Sequence, residues 1–129
     1  MSEKLSEHLD LNNGLTVRIY DLSRKVAGNR WLVKLAARID VPVPSDPIPL
    51  KNGDTVSGTE LQEALGKHVQ FEFSSERNFI HEKELKPCFE HIKASFLQNT
   101  KPYLAHADFQ RSFILKKYRE YLGQKRLYS

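Results

Sequence analysis

The segment WLVKLAARIDVPV, residues 31–43, constrains the fold more than any other part of the chain. Its apolar side chains fall at Trp31, Val33, Leu35, Ala37, Ile39, Val41 and Val43, and its charges at Lys34, Arg38 and Asp40. Successive side chains of a strand point to opposite faces, so this period of two describes a central strand with one buried face. At about 3.3 Å per residue it would run about 40 Å, longer than most strands, which predicts a bend or bulge near Ala36-Ala37.

Such a strand needs neighbours of the same kind. Leu15, Val17 and Ile19 alternate with Thr16, Arg18 and Tyr20, giving a first strand over residues 15–22. The polar segment 23–29, with Arg24, Lys25 and Gly28-Asn29, has hairpin length and joins that strand antiparallel to the central one. Val69, Phe71 and Phe73 alternate with His68, Gln70, Glu72 and Ser74, a third strand over 67–74 with an aromatic inner face. Leu9 and Leu11 precede the turn signal Asn12-Asn13-Gly14; either residues 7–11 pair back as a fourth, edge strand, or residues 1–13 form a mobile end, as 124–129 are expected to do. One register places Trp31, Leu35, Ile39, Phe71 and Phe73 inside and leaves Lys34, Arg38 and Glu72 in water.

Pro42, Pro44, Pro47 and Pro49 remove four backbone donors and predict an extended connection, followed by a turn at Asn52-Gly53-Asp54. Ser57 and Glu60 have the spacing of a capping box, and Leu61, Ala64 and Leu65 follow at helical spacing before Gly66, so a short helix fits residues 58–65. Leu85, Cys88, Phe89, Ile92, Ser95, Phe96 and Tyr103 share one side of a helix over about 80–100, irregular near Pro87. A second long helix begins after Asp108 and ends at Gly123. Ile114, Leu115, Tyr118, Tyr121 and Leu122 form its apolar face, with Phe109 and Phe113 off that face.

The fold expected is therefore α+β: an antiparallel three-stranded sheet, four-stranded if residues 7–11 pair, with a short helix and two long C-terminal helices packed on one face. The chain's 129 residues read as one domain, and 40% hydrophobic with 28% charged residues disfavours disorder. The single cysteine, Cys88, excludes an intramolecular disulfide. With no secretory apolar segment after Met1 and no apolar run near membrane-spanning length, a cytoplasmic protein is expected.

No catalytic motif appears. His81-Glu82-Lys83-Glu84 begins like a zinc-protease helix but lacks its second histidine, and phosphate-binding glycine loops and a nucleophile elbow are absent. Glu84, Cys88 and His91, with His81 nearby, have spacing that would suit a metal, but Cys88 shares its face with Leu85, Phe89 and Ile92 and reads as a core thiol. No cofactor is expected. The even-numbered sheet face carries Arg18, Arg30, Lys34 and Arg38, with Tyr20 as its one aromatic, too few rings for a sheet that reads RNA. No stretch carries the fingerprint of a known family.

Charge distribution is the strongest functional signal. Arg111, Lys116, Lys117, Arg119, Lys125 and Arg126 stand against Glu120 alone, so residues 111–129 carry +5 of a net charge of +4 and the remainder carries −1. These six residues are the candidate surface for an anionic partner, either an acidic protein or a nucleic acid. The leading expectation is a small cytoplasmic binding or assembly module. A nucleic-acid-associated protein using the basic helix is the alternative, and an enzyme without a recognisable motif comes third. A membrane contact is not expected, because the helix's apolar face is needed to cover the sheet. Weak homodimerisation through a sheet edge is expected.

Overall fold

The computed structural model describes residues 4–50 and 53–128, with side chains through residue 125. Its elements are β1 (Lys4–Asp10), β2 (Thr16–Asp21), β3 (Arg24–Ala27), β4 (Arg30–Pro42), β5 (Ile48–Pro49), β6 (Thr55–Val56), α1 (Gly58–Leu65), β7 (His68–His81), a 3₁₀ turn (Glu82–Glu84), α2 (Leu85–Asn99), α3 (Lys101–Leu104) and α4 (Phe109–Tyr128). The architecture is α+β. The chain divides into two compact units, residues 1–39 with 71–106 and residues 40–70 with 107–129.

The alternating segments build a five-stranded sheet in which β4 pairs with β2, β3 and β7, and β1 pairs with β2. Asp21 stands opposite Leu35 and Arg24 opposite Leu32, so β2 and β3 keep one register along β4. They are two halves of one strand interrupted at 22–23. There the Leu22 N–H still donates to Lys34 O at 2.9 Å, while Asp21 Oδ1 accepts the Ser23 N–H at 2.9 Å and Ser23 Oγ accepts the Lys34 N–H at 3.0 Å, side-chain oxygens standing in for the missing ladder bonds. The connection expected over 23–29 thus shrinks to a turn at Gly28-Asn29, with Gly28 at φ +56. Arg24 to Ala27 are all exposed, and their pairing through backbone groups leaves no alternation in the sequence. Bulges fall between Leu5 and Glu7 and between Lys25 and Ala27; in its pairing with β2, β4 passes Ala36-Ala37 without a register shift.

The fourth strand is present and longer than residues 7–11. Leu11 and Leu15 are buried on either side of the turn, and Asn13 Nδ2 donates to the carbonyls of Leu104 at 2.8 Å and His106 at 3.0 Å. Lys93 of α2 forms an ion pair with Glu7 of β1.

Val17, Ile19, Val33, Leu35, Ala37 and Ile39 are fully buried, which confirms the inward face of β2 and β4. Trp31, Phe71 and Phe73 are half-buried; on the opposite face Glu72 is exposed while Lys34 and Arg38 are half-buried. Ala36 is buried there too, opposite Tyr20 in register and beside the long side chain of Arg38.

β7 continues to His81, beyond the expected end at residue 74, and the Glu82 N–H donates to Asn29 O at 2.8 Å. Helix α2 therefore starts later than residue 80. Pro87 is its third residue, where a backbone N–H has no intrahelical partner to lose, so the helix is not kinked by it. Phe89, Ile92 and Phe96 are buried, and Phe96 lies 5.5 Å from Phe73, centroid to centroid. Tyr103 leaves this face and is 61% exposed; the break at Thr100 shifts the phase, and Leu104 is buried in its place.

In the second unit α1 occupies the expected residues, with Ser57 Oγ accepting the Glu60 N–H at 3.1 Å. The proline-rich connection is not fully extended. Ile48 and Val56 face each other in the two-residue strands β5 and β6, both buried, and Gly53 at φ +91 turns between them. Helix α1 packs against α4.

Candidate functional site

Helix α4 runs through Gly123 to Tyr128 and does not stop at the glycine. A glycine caps a helix only where the chain needs a positive φ, and Gly123 has none. Two apolar stripes run along it. One consists of Phe109, Phe113 and Ile114, all buried, with the two rings stacked at 5.8 Å. Gln110 on the same side donates through Nε2 to Pro42 O at 2.8 Å. This stripe is the core face, which corrects the sequence assignment in part: Ile114 is buried as expected, but Phe109 and Phe113 join it, and Leu115, Tyr118, Tyr121 and Leu122 are only half-buried. The physical reason is polarity as well as size: Phe109 and Phe113, one turn apart, bury whole rings without a polar atom, whereas Tyr118 and Tyr121 carry a hydroxyl that half-burial leaves in water and Leu115 and Leu122 offer less apolar surface.

The second stripe, Leu115, Tyr118 and Leu122, forms one wall of a groove of about 610 Å³. Pro49 of β5 and Leu50 just after it, with Val56 of β6, form the other. Arg111 and Arg119 also line it, one turn to either side of Leu115. At 100° per residue, Arg111, Leu115, Tyr118, Arg119 and Leu122 fit within about 100° of arc, so apolar floor and cationic flanks share one side. A smaller hollow of about 210 Å³, lined by Pro44, Pro47 and Gln110 among others, also includes Arg111 and Pro49.

Of the five basic residues whose side chains are described, Arg111 and Arg119 line the groove and Lys116, Lys117 and Lys125 are not part of its lining. Arg111 and Arg119 are exposed at the groove, where Arg111 Nη2 lies 3.2 Å from Asp108 Oδ1 in an i,i+3 pair. Lys117 points about 200° away from Leu115 by the helical repeat; its Nζ lies 5.6 Å from the Phe113 ring centroid and 3.6 Å from Glu120 Oε1. Lys116 and Lys125 are exposed on either flank, about 100° and 80° from Leu115. The side chain of Arg126 lies outside the described residues. Solvated pairs such as Arg111 with Asp108 contribute at most about 1 kcal/mol and exchange readily for another carboxylate.

Sequence reasoning missed the far wall, Pro49, Leu50 and Val56, because a proline-rich loop gives no period to read. It also spent Leu115, Tyr118 and Leu122 on the core. The available signal was the surplus: with Phe109 and Phe113 counted, α4 has more apolar positions than one face can bury.

Among the described residues, no three His, Cys, Asp or Glu side chains converge as a metal site. His81 is engaged at both ring nitrogens: Nδ1 accepts the Lys83 N–H at 3.0 Å and Nε2 lies 3.0 Å from the Asn29 amide, capping the 3₁₀ turn. On the sheet, Arg38 and Arg18 lie 4.8 Å and 5.9 Å from the Tyr20 ring centroid, so the one aromatic of that face is covered by cations. No described helix is long and apolar enough to cross a membrane. No protein-family model, curated protein or solved structure matches this chain.

Proposed function

We propose that this chain is a small binding module of the cytoplasm, without a cofactor, that receives an acidic amphipathic protein segment in the groove along α4. The observation that carries this reading is the pairing of a half-exposed Leu115, Tyr118 and Leu122 floor with Arg111 and Arg119 on one side of the helix. Apolar side chains of a partner would gain about 25 cal/mol for each Å² of apolar surface withdrawn from water. Carboxylates beside them would meet the two guanidiniums, whose planar donors suit bidentate contact. Helix-in-groove recognition reads i, i+3, i+4 and i+7 anchors, and the floor has the same repeat. A nucleic acid is the weaker partner, because the cations are spread around α4 and Lys117 is engaged with Glu120 and Phe113. Weak self-association through a sheet edge belongs to the same reading.

The test uses a fluorescein-labelled helical peptide with leucines at i, i+4 and i+7 flanked by glutamates, the same peptide with lysines in their place, and a duplex DNA. Anisotropy titrations are expected to show at least tenfold tighter binding of the glutamate peptide, lost in Leu115→Asp and weakened in the double variant Arg111→Gln, Arg119→Gln. Equal affinity for both peptides would sink the reading. Tighter binding of DNA, with a salt slope of roughly −3 to −4.5 as expected for three to five phosphate contacts, would replace it with the nucleic-acid alternative.

A further inference from the structure

β7 is a strand of 14 residues that, among the described residues, pairs with β4 alone. No described strand pairs with its outer edge, and a long unpaired edge is a template for another strand. Protein edges are commonly blunted by proline, lysine or a bulge. The opposite edge strand, β1, has Lys4 and a bulge between Leu5 and Glu7, whereas FEFSSERN, residues 71–78, holds neither proline nor lysine. The irregular residue of β7, Phe79 at φ +57, comes after this stretch.

Alternation shows which backbone groups face outward. Lys67 O accepts the Val43 N–H at 2.8 Å, so the odd-numbered residues that follow direct their N–H and C=O toward β4, and Glu72, Ser74, Glu76 and Asn78 direct theirs away. Glu76 agrees: its carbonyl accepts Arg77 Nη1 at 3.0 Å, a solvent-exposed contact outside the ladder.

We infer that this edge pairs antiparallel with β7 of a second copy, about a two-fold axis at Ser75. A two-fold axis normal to the sheet keeps each side chain on its own face, so opposed residues must both be odd or both even. Centring on Ser74 would set Glu72 against Glu76 twice, and centring on Glu76 would oppose two carboxylates directly. Centring on Ser75 opposes Glu72 to Asn78, Ser74 to Glu76 and Phe73 to Arg77, with Ser75 against itself, and no like charges meet. It also brings each Arg77 to the partner's aromatic ring, in reach of a cation–π contact, while the Glu76 carbonyl exchanges Arg77 for a backbone N–H. Centring on Phe73 avoids like charges too but leaves Arg77 with no such contact. Ser75 then forms a non-hydrogen-bonded pair, the closest side-chain approach in an antiparallel ladder.

The experiment uses the full chain with Cys88→Ser. Light scattering is expected to rise from the 14.9 kDa monomer toward twice that mass with concentration. Ser74→Pro removes an outward N–H only, leaving the β4 ladder intact, and is expected to be monomeric; Ser74→Glu keeps the N–H, sets a carboxylate against Glu76 of the other copy on both sides of the axis, is also expected to be monomeric, and guards against a proline-induced distortion. Ser75→Cys is expected to form a disulfide dimer under mild oxidation at least tenfold faster than Ser74→Cys, since opposed Cβ atoms about 4.5–5.5 Å apart approach disulfide range. A monomer up to millimolar concentration overturns the proposal. So does a dimer that survives both Ser74 variants, and so does equal cross-linking at 74 and 75.

Discussion

Arg38 of β4 donates through Nε to Glu72 Oε2 of β7 at 2.8 Å, while its guanidinium carbon lies 4.8 Å from the Tyr20 ring centroid on β2. One side chain thereby ties three strands together on the face opposite the core. Beneath it the small Ala36 is fully buried opposite Tyr20, so the arginine stem also excludes water from the sheet.

Removing this tie should cost more than breaking its ion pair. The Glu72 side chain is 40% exposed, so Glu72→Gln is expected to lose less than about 1 kcal/mol. Arg38→Ala also loses the cation–π contact and the covering stem, and about 1–2 kcal/mol is expected. Urea unfolding of the two variants checks the order. Equal losses would show that the arginine acts through its charge pair alone.

The assignment of the two stripes of α4 is checked by a matched pair of substitutions. Ile114 is fully buried and Leu115 half-buried at the groove. Ile114→Ala is expected to cost about 2–5 kcal/mol, and Leu115→Ala no more than about 1 kcal/mol. The reverse order in thermal unfolding would return Leu115 to the core.

Gly58 opens α1 against the backbone of Ser45, where an added Cβ would overlap the carbonyl group. Gly58→Ala cannot be absorbed by a side-chain rotation. It is expected to destabilise far more than Ser57→Ala, which removes the hydroxyl accepting the Glu60 N–H and should cost about 1 kcal/mol. Denaturation midpoints of the two variants decide the point.

Gly123 lies within α4 with no positive φ, and a Cβ there meets open space. Gly123→Ala is therefore expected to raise stability by up to about 1 kcal/mol and to increase far-UV helicity. A loss of stability would mean that the helix ends at the glycine in solution.

Much of the sheet was legible because alternation is a local property that a single strand displays. Leu35 and Ile39 lie inside as the period required, and Ser57 with Glu60 set the start of α1 to the residue. β3 was not legible: its exposed residues show no alternation, and only the continuing register along β4 makes it a strand. Of the candidate surface, Arg111 and Arg119 line a common groove, whereas Lys116, Lys117 and Lys125 are not among its lining residues.

By itself, then, the sequence determined which segments alternate, where helices can begin and where the positive charge accumulates, since each depends on residues within one or two turns of one another. Tertiary structure decided which stripe of α4 is buried. That choice is a competition for interior volume, won by Phe109 and Phe113 against Leu115 and Tyr118, and no local pattern records its outcome. The groove follows from the same competition: the stripe that lost is left facing Pro49, Leu50 and Val56, more than fifty residues earlier in the chain.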